Sequence, residues 1–131
     1  MFIDASALCA IMLNEPDRTL LEQRLAEAID PLTSPIAVWE AVRAMVREID
    51  IDVPEASERL TRYLDALGIS IVTVGNAEGE MAVEAFDRFG KGRHPARLNM
   101  GDCFAYACAR TNGRPLLFKG NDFAQTDIER A

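Results

Sequence analysis

The 131-residue chain reads as one α/β domain, residues 1–131, organised on a parallel sheet. Three observations predict this class. Short apolar runs alternate with helical stretches along the whole length, the pattern of βαβ units. "ISIVTV" (69–74) is β-branched and continuous, which predicts a strand buried on both faces. The length suits one domain with its own core, and no repeat, linker or low-complexity segment interrupts it.

The elements follow in order. "MFID" is a short apolar run ending in Asp4, and "SALCAIML" continues as a helix that breaks at Pro16. "DRTLLEQRLAEAI" repeats Leu20, Leu21, Leu25 and Ile29 at helical period. "PLTS" is a weak short strand. Ser34 then offers an N-cap and Pro35 a first helical residue. In the helix that follows, Val38, Val42, Met45 and Ile49 form an apolar stripe, with Glu40, Arg43 and Arg47 on another face. Pro54 opens the next helix, which ends at Gly68. After "ISIVTV", Asn76 is placed to cap "AEGEMAVEAFDRF". Residues 90–99, "GKGRHPARLN", form a loop, and "GDCFAYACAR" forms a helix that stops at "NG". "PLLF" (115–118) is a second buried strand, and the chain closes as a turn and short helix.

The totals narrow the class. No run is long enough to cross a bilayer. The apolar N-terminus carries Asp4 where a signal peptide would carry Lys or Arg, so it reads as structure. Cys9, Cys103 and Cys108 match no zinc spacing and read as small core residues in a reducing cytoplasm. The net charge of −7 is unevenly placed. Residues 88–121 carry Arg88, Lys91, Arg93, Arg97, Arg110, Arg114 and Lys119 against Asp102 alone, a balance of +6, while the rest of the chain stands at −13. A local basic surface is what a phosphate backbone requires, although a solvated face is the plainer account.

Ligands of parallel sheets bind beyond the carboxyl ends of the strands. Chain tracing brings three of four acids to that edge, and Asp102 joins them as the start of a helix running back along the sheet. Asp4 ends the first strand, Glu40 lies in the helix after the second, Asp102 opens the penultimate helix, and Asp122 follows the last strand. Asp127 is a fifth candidate. Each has an ordinary alternative: Asp4 as a cap, Glu40 as an ion-pair partner of Arg43 and Arg47, Asp102 as a helix-dipole partner, Asp122 as a cap of the last helix. Together they would repel one another unless a hard cation, Mg²⁺ or Mn²⁺, took their oxygens. Such an ion can orient and polarise a phosphodiester.

Other chemistries are not encoded. The chain has no phosphate-binding loop of the G-x-x-x-x-G-K-[ST] type and no G-x-S-x-G elbow. His94 is the single histidine, beside Pro95 in a loop, and reads as a surface residue. Trp39, Phe104 and Tyr106 read as core, which sets aside Trp39 as a platform for stacking bases.

"DASA" after a hydrophobic start, Glu40 in "SPIAVWEAVRA", "RLNMGDCFAYACAR" and "PLLFKGNDFAQTDI" together resemble the PIN-domain ribonuclease toxins of the VapC type. The resemblance covers nearly the whole chain, with its motifs in the family's order. It implies a three-layer α/β/α sandwich around a parallel sheet of about five strands, a common size, although only four strand-like runs are evident here. It implies Mg²⁺- or Mn²⁺-dependent endoribonuclease activity. Asp4 and Asp102 match the principal metal ligands, and Glu40 and Asp122 the other acids of the pocket. Ser6 matches a hydroxyl near the first acid, while Asn99 and Thr126 match supporting polar positions. Asp127 competes with Asp122 for the fourth acidic place. The resemblance also implies a homodimer silenced by a cognate VapB-type antitoxin. Lys91, Arg93 and Arg97 are then candidates for holding RNA.

Three rivals fit less well. A haloacid-dehalogenase-type phosphatase wants a second Asp two residues after the first, where Ser6 stands. A receiver-type signalling domain wants a phosphoacceptor Asp after a central strand, and "ISIVTVGN" ends with none. A catalytically inactive PIN-fold binding protein is opposed by the presence of all four acids.

Overall fold

The computed structural model describes residues 1–131. Four short strands form its sheet: β1 (Phe2–Ile3), β2 (Leu32–Thr33), β3 (Ser70–Ile71) and β4 (Leu116–Leu117). All pairings are parallel, in the order β3-β2-β1-β4. Six helices connect them: α1 (Ala5–Met12), α2 (Arg18–Ala26), α3 (Pro35–Ile49), α4 (Val53–Ala66), α5 (Asn76–Phe89) and α6 (Met100–Thr111). A single 3₁₀ turn, Phe123–Gln125, precedes the C-terminus.

Alternation along the strands separates two cores. Successive strand residues face opposite sides of a sheet. Ile3 and Leu117 join a cluster with α1, α2, α3 and α4, whose centre is Leu8, Ile11, Met45 and Leu60. Their neighbours Phe2 and Leu116 join a second cluster with α5, α6 and Phe123. The result is a three-layer α/β/α sandwich. Phe2 and Ile3 are both fully buried, and truncating either to alanine would cost about 2–5 kcal/mol. The fifth strand is reduced to one bridge. Leu116 N–H donates to Glu129 O at 2.8 Å, and Ala131 N–H donates to Leu116 O at 3.0 Å. The C-terminal segment thereby covers the open edge of β4.

Several local signals act as read. Ser34 Oγ accepts from Ala37 N–H at 3.1 Å and caps α3, with Pro35 just inside. Gly68 takes a φ of +63° after α4, where a side chain would be strained. Others act differently. The stretch 69–74 is not a strand buried on both faces: only Ser70 and Ile71 pair, at the sheet edge, and Ile71 is 52% exposed. An edge strand has one neighbour, so its outer side borders solvent instead of another strand. The inward stripe of α3 is Ala37, Ala41 and Met45, with Val38 and Val42 only half-buried and Ile49 outside. Small residues let α3 approach α1 closely, and this rotates Trp39 outward to 60% exposure. Trp39 is therefore not core. Phe104 is half-buried, while Tyr106 is buried as expected. α2 ends at Ala26, leaving Leu20 and Ile29 exposed. Gly75, not Asn76, caps α5, its N–H donating to Glu78 Oε2 at 2.8 Å. His94 is half-buried, with its ring edge-on to Phe89 at 5.3 Å. No helix is long and apolar enough to cross a membrane.

Candidate active site

Four elements deliver acids to the carboxyl edge of the sheet. β1 ends at Ile3, where Thr33 Oγ1 donates to Ile3 O at 2.9 Å and Asp4 N–H donates to Leu117 O at 3.0 Å. These bonds fix Asp4 between β2 and β4. Asp4 is only 3% exposed and also caps α1. Its Oδ2 accepts from Ser6 N–H at 2.9 Å and from Ser6 Oγ at 2.5 Å. Ser6 Oγ in turn accepts from Lys119 N–H at 3.0 Å, tying the end of β4 to the same carboxylate. Ser6 therefore orients Asp4.

Asp102 stands three residues after the cap of α6. Asn99 Oδ1 accepts from Asp102 N–H at 3.1 Å, and Asp102 Oδ2 accepts from Asn99 N–H at 2.8 Å. This reciprocal cap holds the carboxylate with one oxygen and leaves Oδ1 outside the cap. Asn99 thus positions Asp102. Glu40 projects from α3 against the start of α6. A methyl group at Gly101 would lie 2.3 Å from Glu40 Oε1 and 2.5 Å from Oε2, so only glycine allows this approach. Glu40 makes no ion pair with Arg43 or Arg47, and Arg47 turns to Glu48 instead. Asp122 precedes the 3₁₀ turn and makes no capping hydrogen bond.

The electrostatics place the four in one field. Burial pushes the Asp102 carboxyl up to about 7 against the opposing pull of the Asn99 amide, with Asp4, Asp122 and Glu40 adding repulsion. Burial also raises Asp4, opposed by Ser6, and Asp122 adds to the rise. Glu40 is raised by burial and by Asp4, with Arg43 working the other way. The half-buried Cys9 thiol is pushed up to about 11, first by burial and then by Asp4, Glu40 and Glu15. It stays protonated and offers no nucleophile at neutral pH.

Asp127 belongs elsewhere. Its Oδ1 accepts from Tyr106 Oη at 2.7 Å and its Oδ2 from Arg88 Nη2 at 2.8 Å. Those bonds lower its carboxyl and fasten the C-terminal segment to α5 and α6. Thr126 Oγ1 donates to Phe123 O at 2.8 Å, a bond confined to the terminal turn. Of the two competing acids, Asp122 is the one that shares the field of Asp4 and Asp102. Lys119 Nζ pairs with Glu15 and, at 3.7 Å, with Asp17, which the sequence does not foretell. The pairing with Glu15 joins residues 104 positions apart, and nothing local encodes it.

Asp4 lies at the buried floor of this edge, with Glu40 and Asp102 half-buried above it, while several surface concavities are lined by other residues. One of these, about 470 Å³, is bounded by Lys91, Arg93, His94 and Arg97 in the 90–97 loop. Arg93 is partly engaged, donating to Asp87 Oδ1 at 2.7 Å, while Lys91 and Arg97 have no ion-pair partner. The 90–97 loop runs directly into Asn99, the cap of α6 that holds Asp102, so its cations precede one of the acids along the chain.

A parallel sandwich with acids gathered at its strand ends is the arrangement of a PIN domain, and the PIN domain family model matches residues 1–129. A VapC ribonuclease of Rhizobium meliloti is 41% identical, covering 97% of this chain and 98% of the relative. A ribonuclease VapC of Mycolicibacterium smegmatis is 42% identical, covering 98% and 97%. The chain belongs to the VapC ribonuclease family of PIN-domain proteins. Solved structures share the fold. The Mycobacterium tuberculosis toxin VapC20, described as cleaving the sarcin–ricin loop, superposes with a TM-score of 0.79 at 17% identity over 99% of this chain and 97% of its own. A toxin–antitoxin complex from Klebsiella pneumoniae gives 0.70 at 18% identity over 96% and 92%.

Proposed function

We propose that the chain is the toxin of a toxin–antitoxin pair and cleaves RNA as a Mg²⁺- or Mn²⁺-dependent endoribonuclease, with Asp4, Glu40, Asp102 and Asp122 as its site. The observation that carries this is the gathering of four acids at the strand ends, with no basic side chain in an ion pair with any of them, where burial first and neighbouring carboxylates second raise Asp4, Glu40 and Asp102. The donor set is all oxygen, which suits a hard divalent cation. No three side chains close into a ready-made cage. The fit is therefore to an ion held directly by Asp4 and Asp102 that keeps much of its water, with Glu40 and Asp122 acting on that water shell. Such an ion would neutralise the cluster, orient a phosphodiester and polarise it toward hydrolysis.

The residues of the chain have separate tasks. Ser6 and Asn99 fix one oxygen each of Asp4 and Asp102, so both carboxylates are oriented before substrate arrives. Gly101 admits Glu40 to the start of α6. Asp122, free of hydrogen bonds, can adjust to the substrate. Lys91, Arg97 and, once released from Asp87, Arg93 would hold the RNA backbone through contacts that carry no sequence information.

The excess of acid also indicates how the activity is restrained. A VapB-type partner would place an Arg or Lys among Asp4, Glu40, Asp102 and Asp122, Arg being favoured because its planar fork pairs with carboxylates. The active form would be a homodimer. Sequencing RNA 5′ ends after brief induction tests the reading. New ends at defined positions that vanish in an Asp102→Asn strain are expected, and identical end maps in the two strains would refute it.

A further inference from the structure

We propose that Trp39 is a stacking platform for an RNA base next to the scissile phosphate, with Arg43 as the cation that accompanies it. The inference rests on the ribonuclease reading above and adds a binding residue to that site. Trp39 is a large aromatic side chain left 60% exposed on α3. It directly precedes Glu40, a member of the acid cluster. The Arg43 guanidinium lies 5.4 Å from the centre of the indole, within cation–π range. Arg43 stands one helical turn beyond both Trp39 and Glu40 on α3, so the same side chain neighbours the indole and the acid. Arg43 forms no ion pair, and its charge is open to a phosphate. On the facing side, Met100 is 67% exposed and adjoins Gly101, which touches Glu40. An aromatic face, an unpaired guanidinium and an exposed thioether thus border the acids.

These observations favour a nucleic acid over a protein partner. Trp and Arg serve protein interfaces as well; what favours a nucleic acid is that the indole and its unpaired guanidinium stand next to Glu40, at the site read as cutting RNA. Aromatic faces beside arginines hold unpaired bases of any sequence, and stacking is sequence-tolerant because every base has a π-face. The base would come from a single strand or loop, since duplex bases are already stacked.

Trp39 is the only tryptophan in the chain, so its emission reports on the site without labelling. The test uses the Asp102→Asn chain, to prevent cleavage, and a short fluorescein-labelled single-stranded RNA. A saturable change in tryptophan emission is expected on titration with the unlabelled RNA. Anisotropy should show Trp39→Ala in the same background binding roughly 5- to 150-fold more weakly, the range given by base–aromatic stacking, with Trp39→Phe in between. Circular dichroism melts should be alike, because the ring is exposed. Unchanged emission together with unchanged affinity in Trp39→Ala would overturn the proposal and leave the ribonuclease reading intact. So would a Trp39→Ala chain that alters only self-association, which would make Trp39 a protein contact. Failure of the Asp102→Asn chain to bind RNA at all would count against the ribonuclease reading and the Trp39 proposal together.

Discussion

Replacing Asp102 with asparagine should stabilise the fold in alkaline solution and leave acid stability unchanged. The Asp102 carboxyl sits at about 7 in the fold against an ordinary 3.8. Between those values the folded chain keeps a proton that the unfolded chain has lost. Its contribution to stability is therefore complete at low pH and is lost as pH rises through about 7. Ionising it in the fold costs at most about 4 kcal/mol. Solvent around the part-exposed side chain screens some of this. The asparagine also forfeits about 0.3–1 kcal/mol of attraction to the helix N-terminus. The cap itself survives, since the new carboxamide oxygen can still accept from Asn99 N–H. A net gain of about 1–3 kcal/mol remains, or roughly 4–12 °C in melting temperature for a domain of this size. Thermal melts of both chains, with chelator present, at about pH 8 and about pH 4 measure the difference. A gain at the higher pH alone is expected. An equal shift at both, or destabilisation at the higher pH, would refute the picture of mutually repelling acids.

Other outcomes follow from the same geometry. Gly101→Ala should lower cleavage roughly 10- to 100-fold by displacing Glu40, with little change in melting because alanine favours the helix; full activity would show that the placement of Glu40 is dispensable. Manganese should stabilise the native chain by about 2.7 kcal/mol at a hundredfold excess over its dissociation constant, seen as a rise in melting temperature. It should do so less as pH falls below about 7, where a proton competes at Asp102, and not at all in Asp4→Asn. Neutralising Lys91, Arg93 and Arg97 together should weaken RNA binding and flatten its dependence on salt, by about 0.7 in log–log slope for each phosphate no longer neutralised; an unchanged slope would leave the loop as a solvated face.

The parts of this molecule that are legible in the sequence are those set by local chemistry or by topology. Ser34 followed by Pro35 is a local helix-start signal, and Gly68 a local stop. Asp4, Glu40 and Asp122 can be gathered from the chain order, because parallel strands separated by helices end at one edge, whereas α6 follows α5 with no strand between, and the place of Asp102 depends on how that helix packs back on the sheet. The rest depends on neighbours that a local pattern does not reveal. Trp39 reads as inward because it is large and apolar, but α3 packs through alanines, and their small size sets which side faces α1. The "ISIVTV" run reads as central because nothing in it says that β3 has a partner on one side only. Asp127 and Asp122 are five positions apart in one motif, and only the approach of Arg88 and Tyr106, from α5 and α6, removes Asp127 from the site.

The most direct test of the central claim is cleavage of RNA by the purified chain at about pH 8, above the value of about 7 for Asp102, where a proton competes less with metal for that carboxylate. The native chain with Mg²⁺ or Mn²⁺ should convert RNA to discrete fragments, chelator should stop it, and added metal should restore it. Asp4→Asn and Asp102→Asn, folded by their melts, should be inactive under every condition. Fragments that persist undiminished in chelator, or that Asp102→Asn produces at the native rate, would contradict the account.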